Sequence, residues 1–208
     1  MMNNHINIIG TGGHAKIVIE IANNLSIFID GFYDDDIKKH HTLFCDIEVK
    51  GSIEALSNSN AIIAIGDNLT RKKIYEKAKN INWKKLMHPS AIIANNVIID
   101  EGSLIVAGVI IQPYTTIGSH CIVNTNASID HDCILNDFVH ISPSATLCGN
   151  VKVGEGSHIS AGATIIPNIN IGKWCVIGAG AVITNDIPDY SLVVGVPGKI
   201  IKTLKNEF

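Results

Sequence analysis

His131 stands between two acids, Asp130 and Asp132, and Gly149 follows it by eighteen residues. An imidazole near its ordinary pKa can take a proton from an attacking nucleophile, and a fixed backbone N–H can stabilise the oxyanion that the attack creates. Either flanking acid could hold the second ring nitrogen and raise the basicity of the first. The constellation suits acyl transfer, provided that positions eighteen apart are neighbours in space. Alternation along a strand turns Asp130 and Asp132 away from the histidine's side, so contact with either requires a corner of the chain there. Cys133 is the nearby candidate for a covalent acyl carrier. Its place in the pattern below sends the thiol inward, where it would be unreactive.

The elements that must position these residues are announced by a repeat. Every sixth residue from Ile93 to Ile183 is aliphatic, sixteen positions without exception, Ile129 and Leu147 among them. The position two before is mostly small, as at Ala127, Cys133, Ala145, Ala163 and Cys175. A period of six fits neither a helix nor one long strand; it fits short strands turning at regular corners, the hexapeptide β-helix. Three hexads make a coil of eighteen residues, with rungs ~4.8 Å apart. His131 and Gly149 then occupy equivalent places on adjacent coils.

The first ~85 residues alternate strands (6–9, 26–30, 61–65) with helical patterns, which implies a small parallel α/β sheet. Gly10-Thr11-Gly12-Gly13-His14-Ala15 joins the first strand to a helix and satisfies the G-x-G-x-x-A form of the dinucleotide fingerprint, with Asp30 where a ribose acid belongs. The segment is only about half of a dinucleotide-binding domain, so a nucleotide diphosphate at the helix N-terminus is expected rather than NAD. Asp34-Asp35-Asp36 reads as a solvated turn from which one carboxylate could bind sugar or ribose hydroxyls. The expected boundaries are 1–86 for this domain, 87–187 for the β-helix and 188–208 for a tail.

Composition narrows the function classes. Of 208 residues 46% are hydrophobic and 17% charged, so the chain can bury a core and is not disordered. A net charge of −3 with a single arginine, Arg71, argues against a nucleic-acid binder. No apolar run approaches the ~20 residues of a membrane span, and the start at Met1-Met2-Asn3-Asn4-His5 does not read as a signal peptide, so a cytoplasmic protein is expected. Five cysteines without paired spacing read as small buried residues, not a disulfide framework or zinc site. His5, His40, His41, His88 and His120 read as surface or packing residues. His140 and His158, one coil apart, read as stacked solvent-facing rings, with a metal site shared with His131 as the lesser alternative.

The glycine-rich start, the unbroken hexads, Asn124-Thr125, Ile129-Asp130-His131-Asp132-Cys133, His140, Cys148-Gly149-Asn150-Val151 and Gly195-Val196-Pro197-Gly198-Lys199 together resemble the bacterial sugar acyltransferases of the left-handed β-helix superfamily, most closely the nucleotide-linked 4-amino-sugar N-acetyltransferases of surface-glycan assembly. Sialic acid O-acetyltransferases are a sister group. The resemblance implies a half-Rossmann α/β domain followed by a left-handed parallel β-helix; general connection rules alone would favour the right-handed crossover. It implies a homotrimer that takes acetyl-CoA as cosubstrate in the groove between neighbouring rods, with no metal, and transfers acetyl to an amino sugar on a nucleotide. By the same resemblance His131 is the general base, Asp132 its orienting acid and Gly149 the oxyanion donor. Asn124, His140, Gly149, Ala161, Gly162, Ile177 and Gly178 face acetyl-CoA, and Gly10, Gly12, Gly13, His14, Asp34, Asp35, Gly66 and Asn68 face the nucleotide-sugar. The family usually carries Glu where Asp132 stands, a methylene longer. O-acetylation of a free sugar acid and a non-catalytic nucleotide-sensing trimeric scaffold are the alternatives.

Overall fold

The computed structural model describes residues 4–205. Met1 to Asn3, part of the stretch read above as carrying no secretory signal, and residues 206–208 of the expected tail lie outside the described residues.

The N-terminal domain runs β1 (His5–Ile9), α1 (Gly13–Asn24), β2 (Phe28–Tyr33), β3 (Leu43–Phe44), β4 (Ile47–Gly51), β5 (Ser59–Ile63), α2 (Asn68–Lys77) and β6 (Ile81–Trp83). Its sheet has the order β3-β4-β2-β1-β5-β6, parallel except for the β3–β4 pair. The chain leaves β1 toward one edge and returns on the other side of it, so the order reverses between β1 and β5. The loops after those two strands therefore open the crevice where such sheets bind ligands.

The second strand is displaced from its expected span. Ser26 takes a positive φ of 53° in closing the turn after α1, and regular pairing starts only at Phe28. Asp30 consequently sits in mid-strand, its carboxylate on His5 Nδ1 at 2.8 Å, far from the crevice. It cannot serve as the ribose acid of a dinucleotide fingerprint. Asp34, just past the end of β2, takes that place.

From Leu86–Met87 onward, two-residue strands recur every six residues and stack into three parallel sheets. One face contains Leu104–Ile105, Ile122–Val123, His140–Ile141 and His158–Ile159. The second contains Ser128–Ile129 and Thr146–Leu147, and the third Ile134–Leu135 and Lys152–Val153. Pairing is in register at eighteen residues, Ile129 on Leu147, and both are fully buried with Ala127, Cys133, Ala145 and Ala163 between the stacks. The corners explain the regularity. Asp132, Asn150 and Asn168 form one column at positive φ (59°, 58° and 65°), and residues of this kind adopt that conformation at the lowest cost after glycine. A buried hydroxyl completes the backbone bonding there: Thr115 Oγ1 donates to the Asp130 carbonyl and accepts from Cys133 N–H.

Two expectations change. The stretch from residue 188 does not form a separate tail: Ser191–Val194 extends the first face beside Val176–Ile177, and Lys199–Thr203 folds back antiparallel to close that end. Cys121, Cys133 and Cys175 are buried as expected, whereas Cys45 is exposed and Cys148 partly so.

The α/β domain sits on the first face. Its core residues Ile6, Val18, Phe32 and Ile62 belong to one apolar cluster with Leu104, Val106 and Ile122 of the rod. Arg71, in sequence one of four basic residues on α2, is 1% exposed and joins the two parts. Its guanidinium donates to the carbonyls of His120 and Phe138 on the rod, to those of Ile65 and Gly66 after β5, and to Asn68 Oδ1. Burial brings its pKa down to about 10, so it stays charged at neutral pH.

Candidate active site

His131 and Asp132 occupy the corner between the second and third faces. The positive φ of Asp132 turns its side chain back, and Oδ2 accepts from His131 Nδ1 at 2.7 Å. That bond fixes the proton on Nδ1 and leaves Nε2 as the lone-pair nitrogen. The Asp132 carboxylate, with the nearby Asp130, raises the pKa of the exposed ring above its ordinary value. Asp130 is otherwise engaged: Oδ1 caps the N–H of His131 at 2.8 Å.

One coil over lies Gly149. A Cβ built there would stand 2.7 Å from both Nε2 and Cε1 of His131, so only glycine lets the ring lie against the backbone. Its φ is ordinary; closeness of approach, not conformation, demands glycine. The Gly149 carbonyl accepts from Asn168 N–H, while its own N–H meets no acceptor among the described residues. A free imidazole nitrogen and a free main-chain N–H thus share one spot, the arrangement that general-base acyl transfer needs. Cys133 is buried with its thiol on the Cys148 carbonyl, and burial pushes its pKa up to about 11, which removes it as an acyl carrier.

The second group lies on the first face, under the α/β domain. His140 Nδ1 is 3.2 Å from the Gly66 carbonyl, which can only accept, so the proton sits on Nδ1 and Nε2 accepts from Asn124 Nδ2 at 3.2 Å. Asn124 Oδ1 in turn accepts from Thr125 N–H. His140 and His158 stack with centroids 4.8 Å apart and planes 6° from parallel. Against the expectation of solvent-facing rings, His140 is buried under the domain, and His158 is half-buried beside it, lining with it a cavity of about 260 Å³ at the seam. Burial lowers both pKa values, His140 to about 3, so both rings are neutral. His158 Nε2 bonds Ser142 Oγ, and among the described residues no group of His, Cys, Asp and Glu converges as metal ligands.

The glycine loop lines a cavity of about 300 Å³ with His14, Asp34, Lys39, Ala64, Ile65 and Gly66. Gly12 caps α1 without a side chain and the first turn holds no acid, so the helix end is electropositive. His14 is neutral, burial and the Arg71 charge lowering its pKa to about 4. An adjoining cavity of about 330 Å³ is lined by Asp34, Asp35, Ile53, Ile65, Ile74 and Lys77, among others. Asp34 accepts from both groups of Thr11 and from Lys39; together with Asp36 N–H these hold its carboxyl below the ordinary range against its partial burial. Asp35 accepts from Ile53 N–H and Lys77.

Other expected contact residues are distributed unevenly. Ala161, Gly162 and Gly178 lie at the corner between the first and second faces, Ala161 and Gly162 exposed. Ile177, expected to face acetyl-CoA, points into the rod at 0% exposure and its carbonyl accepts Ser160 N–H, because the second residue of each rung is the inward one. Asn68, expected to face the nucleotide-sugar, spends its amide on the Gly156 and Ser157 carbonyls and on Arg71. It is a clasp between domain and rod. Sequence reading missed the clasp made by Arg71, for which the one signal was that it is the only arginine; the loop from Lys38 to Leu43 was expected to supply pocket-lining residues, and Lys39 lines the cavity.

Two family models match the chain: PglD N-terminal domain over residues 5–78, and bacterial transferase hexapeptide (six repeats) over residues 150–185. Among solved structures, a point mutant of perosamine N-acetyltransferase from Caulobacter crescentus, in complex with CoA and GDP-perosamine, is 34% identical with a TM-score of 0.89, covering 95% of this chain and 97% of that one. The acetyltransferase domain of PglB from Neisseria gonorrhoeae FA1090, in complex with acetyl coenzyme A, is 36% identical with a TM-score of 0.88, covering 96% and 100%. WeeI from Acinetobacter baumannii AYE shares the fold at 24% identity and a TM-score of 0.75, covering 94% and 99%. A curated relative, uncharacterized protein L142 of Acanthamoeba polyphaga mimivirus, is 31% identical over 101 residues, 47% of this chain; the match spans 20% of that protein's length. Fold and site together define a hexapeptide-repeat acyltransferase with a half-Rossmann domain at its N-terminus. The chain belongs to the nucleotide-linked sugar N-acetyltransferases of the left-handed β-helix superfamily. Among the described residues no helix is long and apolar enough to cross a membrane.

Proposed function

We propose that this protein uses acetyl-CoA to acetylate the 4-amino group of an amino-dideoxy sugar carried on a nucleoside diphosphate, as a cytoplasmic step in making surface glycan. The observation that carries the reading is the free Nε2 of His131 lying against Gly149, whose N–H is also free. The crevice of glycine loop, Asp34 and Gly66 suits a nucleotide diphosphate. Acetyl-CoA supplies the acetyl thioester. As the sugar amine forms its bond to the carbonyl carbon, His131 Nε2 takes the amine proton and Gly149 N–H donates to the oxyanion. Collapse breaks the carbon–sulfur bond, and the imidazolium returns its proton to the departing thiolate. Asp132 holds the ring throughout.

The two groups of residues lie on opposite sides of one chain. A three-sided coil puts the corner of His131 opposite the first face, which carries the domain, His140 and Asn124. A site that needs both is completed by a neighbouring copy, whose corner faces this copy's domain; three such contacts close a ring, the homotrimer. CoA would then run between rods past Ala161, Gly162 and Gly178. The test is thiol release from acetyl-CoA with a panel of GDP-, UDP- and dTDP-linked 4-amino sugars. Turnover with one of them, falling ~10²–10⁴-fold in His131→Ala with the fold kept, is the expected outcome. Release with free sugar acids only, or with no acceptor, overturns the reading.

A further inference from the structure

We propose that Lys39 is the residue that recognises the diphosphate, leaving Asp34 to bind it when the nucleotide arrives. The proposal rests on the nucleotide-sugar reading above and names a specificity determinant within it. Lys39 is the basic residue of the glycine-loop cavity, because His14 there is neutral and Arg71 is spent on carbonyls behind it. Its stem is set in place. Asp36 caps the short helix Ile37–Lys39, Thr42 Oγ1 donates to the Lys39 carbonyl, and His40 Nε2 bonds the Asp34 carbonyl at 2.8 Å. From that base the ammonium reaches Asp34 Oδ2 at 2.9 Å, across the cavity from the uncapped end of α1.

The exchange leaves nothing stranded. Asp34 keeps both Thr11 donors and Asp36 N–H when Lys39 turns away, and the freed side of Oδ2 can accept a hydroxyl of the ligand. The half-exposed ammonium gains two negatively charged groups in place of a carboxylate already satisfied by three other donors. At the adjoining cavity Lys77 bridges Asp35 and Glu54 at 3.0 and 3.2 Å, and Lys73 lines that cavity but not the glycine-loop one.

The experiment is calorimetric titration of the full chain and of Lys39→Gln with UDP, GDP and dTDP, and with uridine, guanosine and thymidine. The wild type is expected to bind one diphosphate. The variant should bind that diphosphate ~10–100-fold more weakly, the range for losing a hydrogen bond to a charged group. Its affinity for the matching nucleoside should be unmoved, and the salt dependence of its diphosphate binding shallower. Lys39→Arg, which keeps the charge, should stay within about threefold of wild type and serves if the glutamine variant does not fold. Unchanged diphosphate affinity in Lys39→Gln overturns the proposal, as does an equal loss for nucleoside, which would place Lys39 on the base or ribose. A wild type that binds no nucleoside diphosphate overturns the nucleotide-sugar reading itself.

Discussion

Asp132 is one methylene shorter than the glutamate that the family places there, yet its carboxylate reaches the histidine beside it. The corner supplies the missing reach: at φ 59° the chain turns so that consecutive side chains converge, which a strand would forbid. The bond sets both tautomer and basicity of His131, and the pH dependence follows. As the proposed base His131 works as neutral imidazole, so kcat/KM should rise with pH through a pKa that the carboxylate has lifted above the ordinary 6.5. Asp132→Asn removes the charge, and the acidic limb of the profile should move to lower pH. The plateau should fall ~10-fold or more, because an amide can donate to Nδ1 and force the proton onto Nε2. A limb that stays in place would show that this carboxylate does not tune the base.

At the scale of elements, the question is what fixes a nucleotide domain on a rod. Helix α2 does so through Arg71, whose five hydrogen bonds end on neutral oxygens. Around it Tyr75, Trp83, His120 and Phe138 form an aromatic cluster, with His120 and Phe138 stacked at 5.5 Å. Arg71 also holds the Gly66 carbonyl that sets the His140 tautomer, so the clasp is continuous with the site. Arg71→Met keeps the stem and strands buried carbonyls; a loss of ~3 kcal/mol or more is expected, the penalty being ~1–3 kcal/mol for each buried group left unpaired. Urea denaturation read by tryptophan fluorescence checks it through Trp83, which lies in the cluster. A loss below ~1 kcal/mol would mean that apolar packing alone holds the domain.

For the whole molecule, the opposed placement of His131 and the glycine-loop crevice makes activity a property of the assembly in the proposed trimer. His131→Ala and Asp34→Ala chains, each inactive alone, should regain part of the wild-type rate when co-assembled, since a mixed trimer holds some sites with both parts intact. No recovery in verified mixed trimers would confine the site to one chain. The buried histidines give a second prediction. His14 and His120 are depressed to about 4 and His140 to about 3, chiefly by burial. Unfolded, each would bind a proton below its ordinary 6.5. The unfolded state therefore takes up more protons as pH falls, and stability, intact above pH 6.5, should drop progressively from there to about 3. Thermal melting across that window measures it; a flat profile would mean that these rings are solvated.

The amino-acid sequence by itself determined the rod, because a period of six leaves an unbranched choice of which residues point inward, and Ile129 and Leu147 are buried where the period puts them. It also determined that His131 meets Gly149, since eighteen residues return the chain to the same corner, and the glycine loop, whose residue types need no distant partner. What depended on contacts between distant parts was decided only by the tertiary structure. The turn at Ser26 moved Asp30 away from the crevice, docking covered His140, and Asn68 and Arg71 became a clasp because rod carbonyls wait beneath α2. A local repeat encodes its own geometry, rung upon rung. The seam between two different architectures does not, because its partners lie up to 89 residues apart and no periodicity links them.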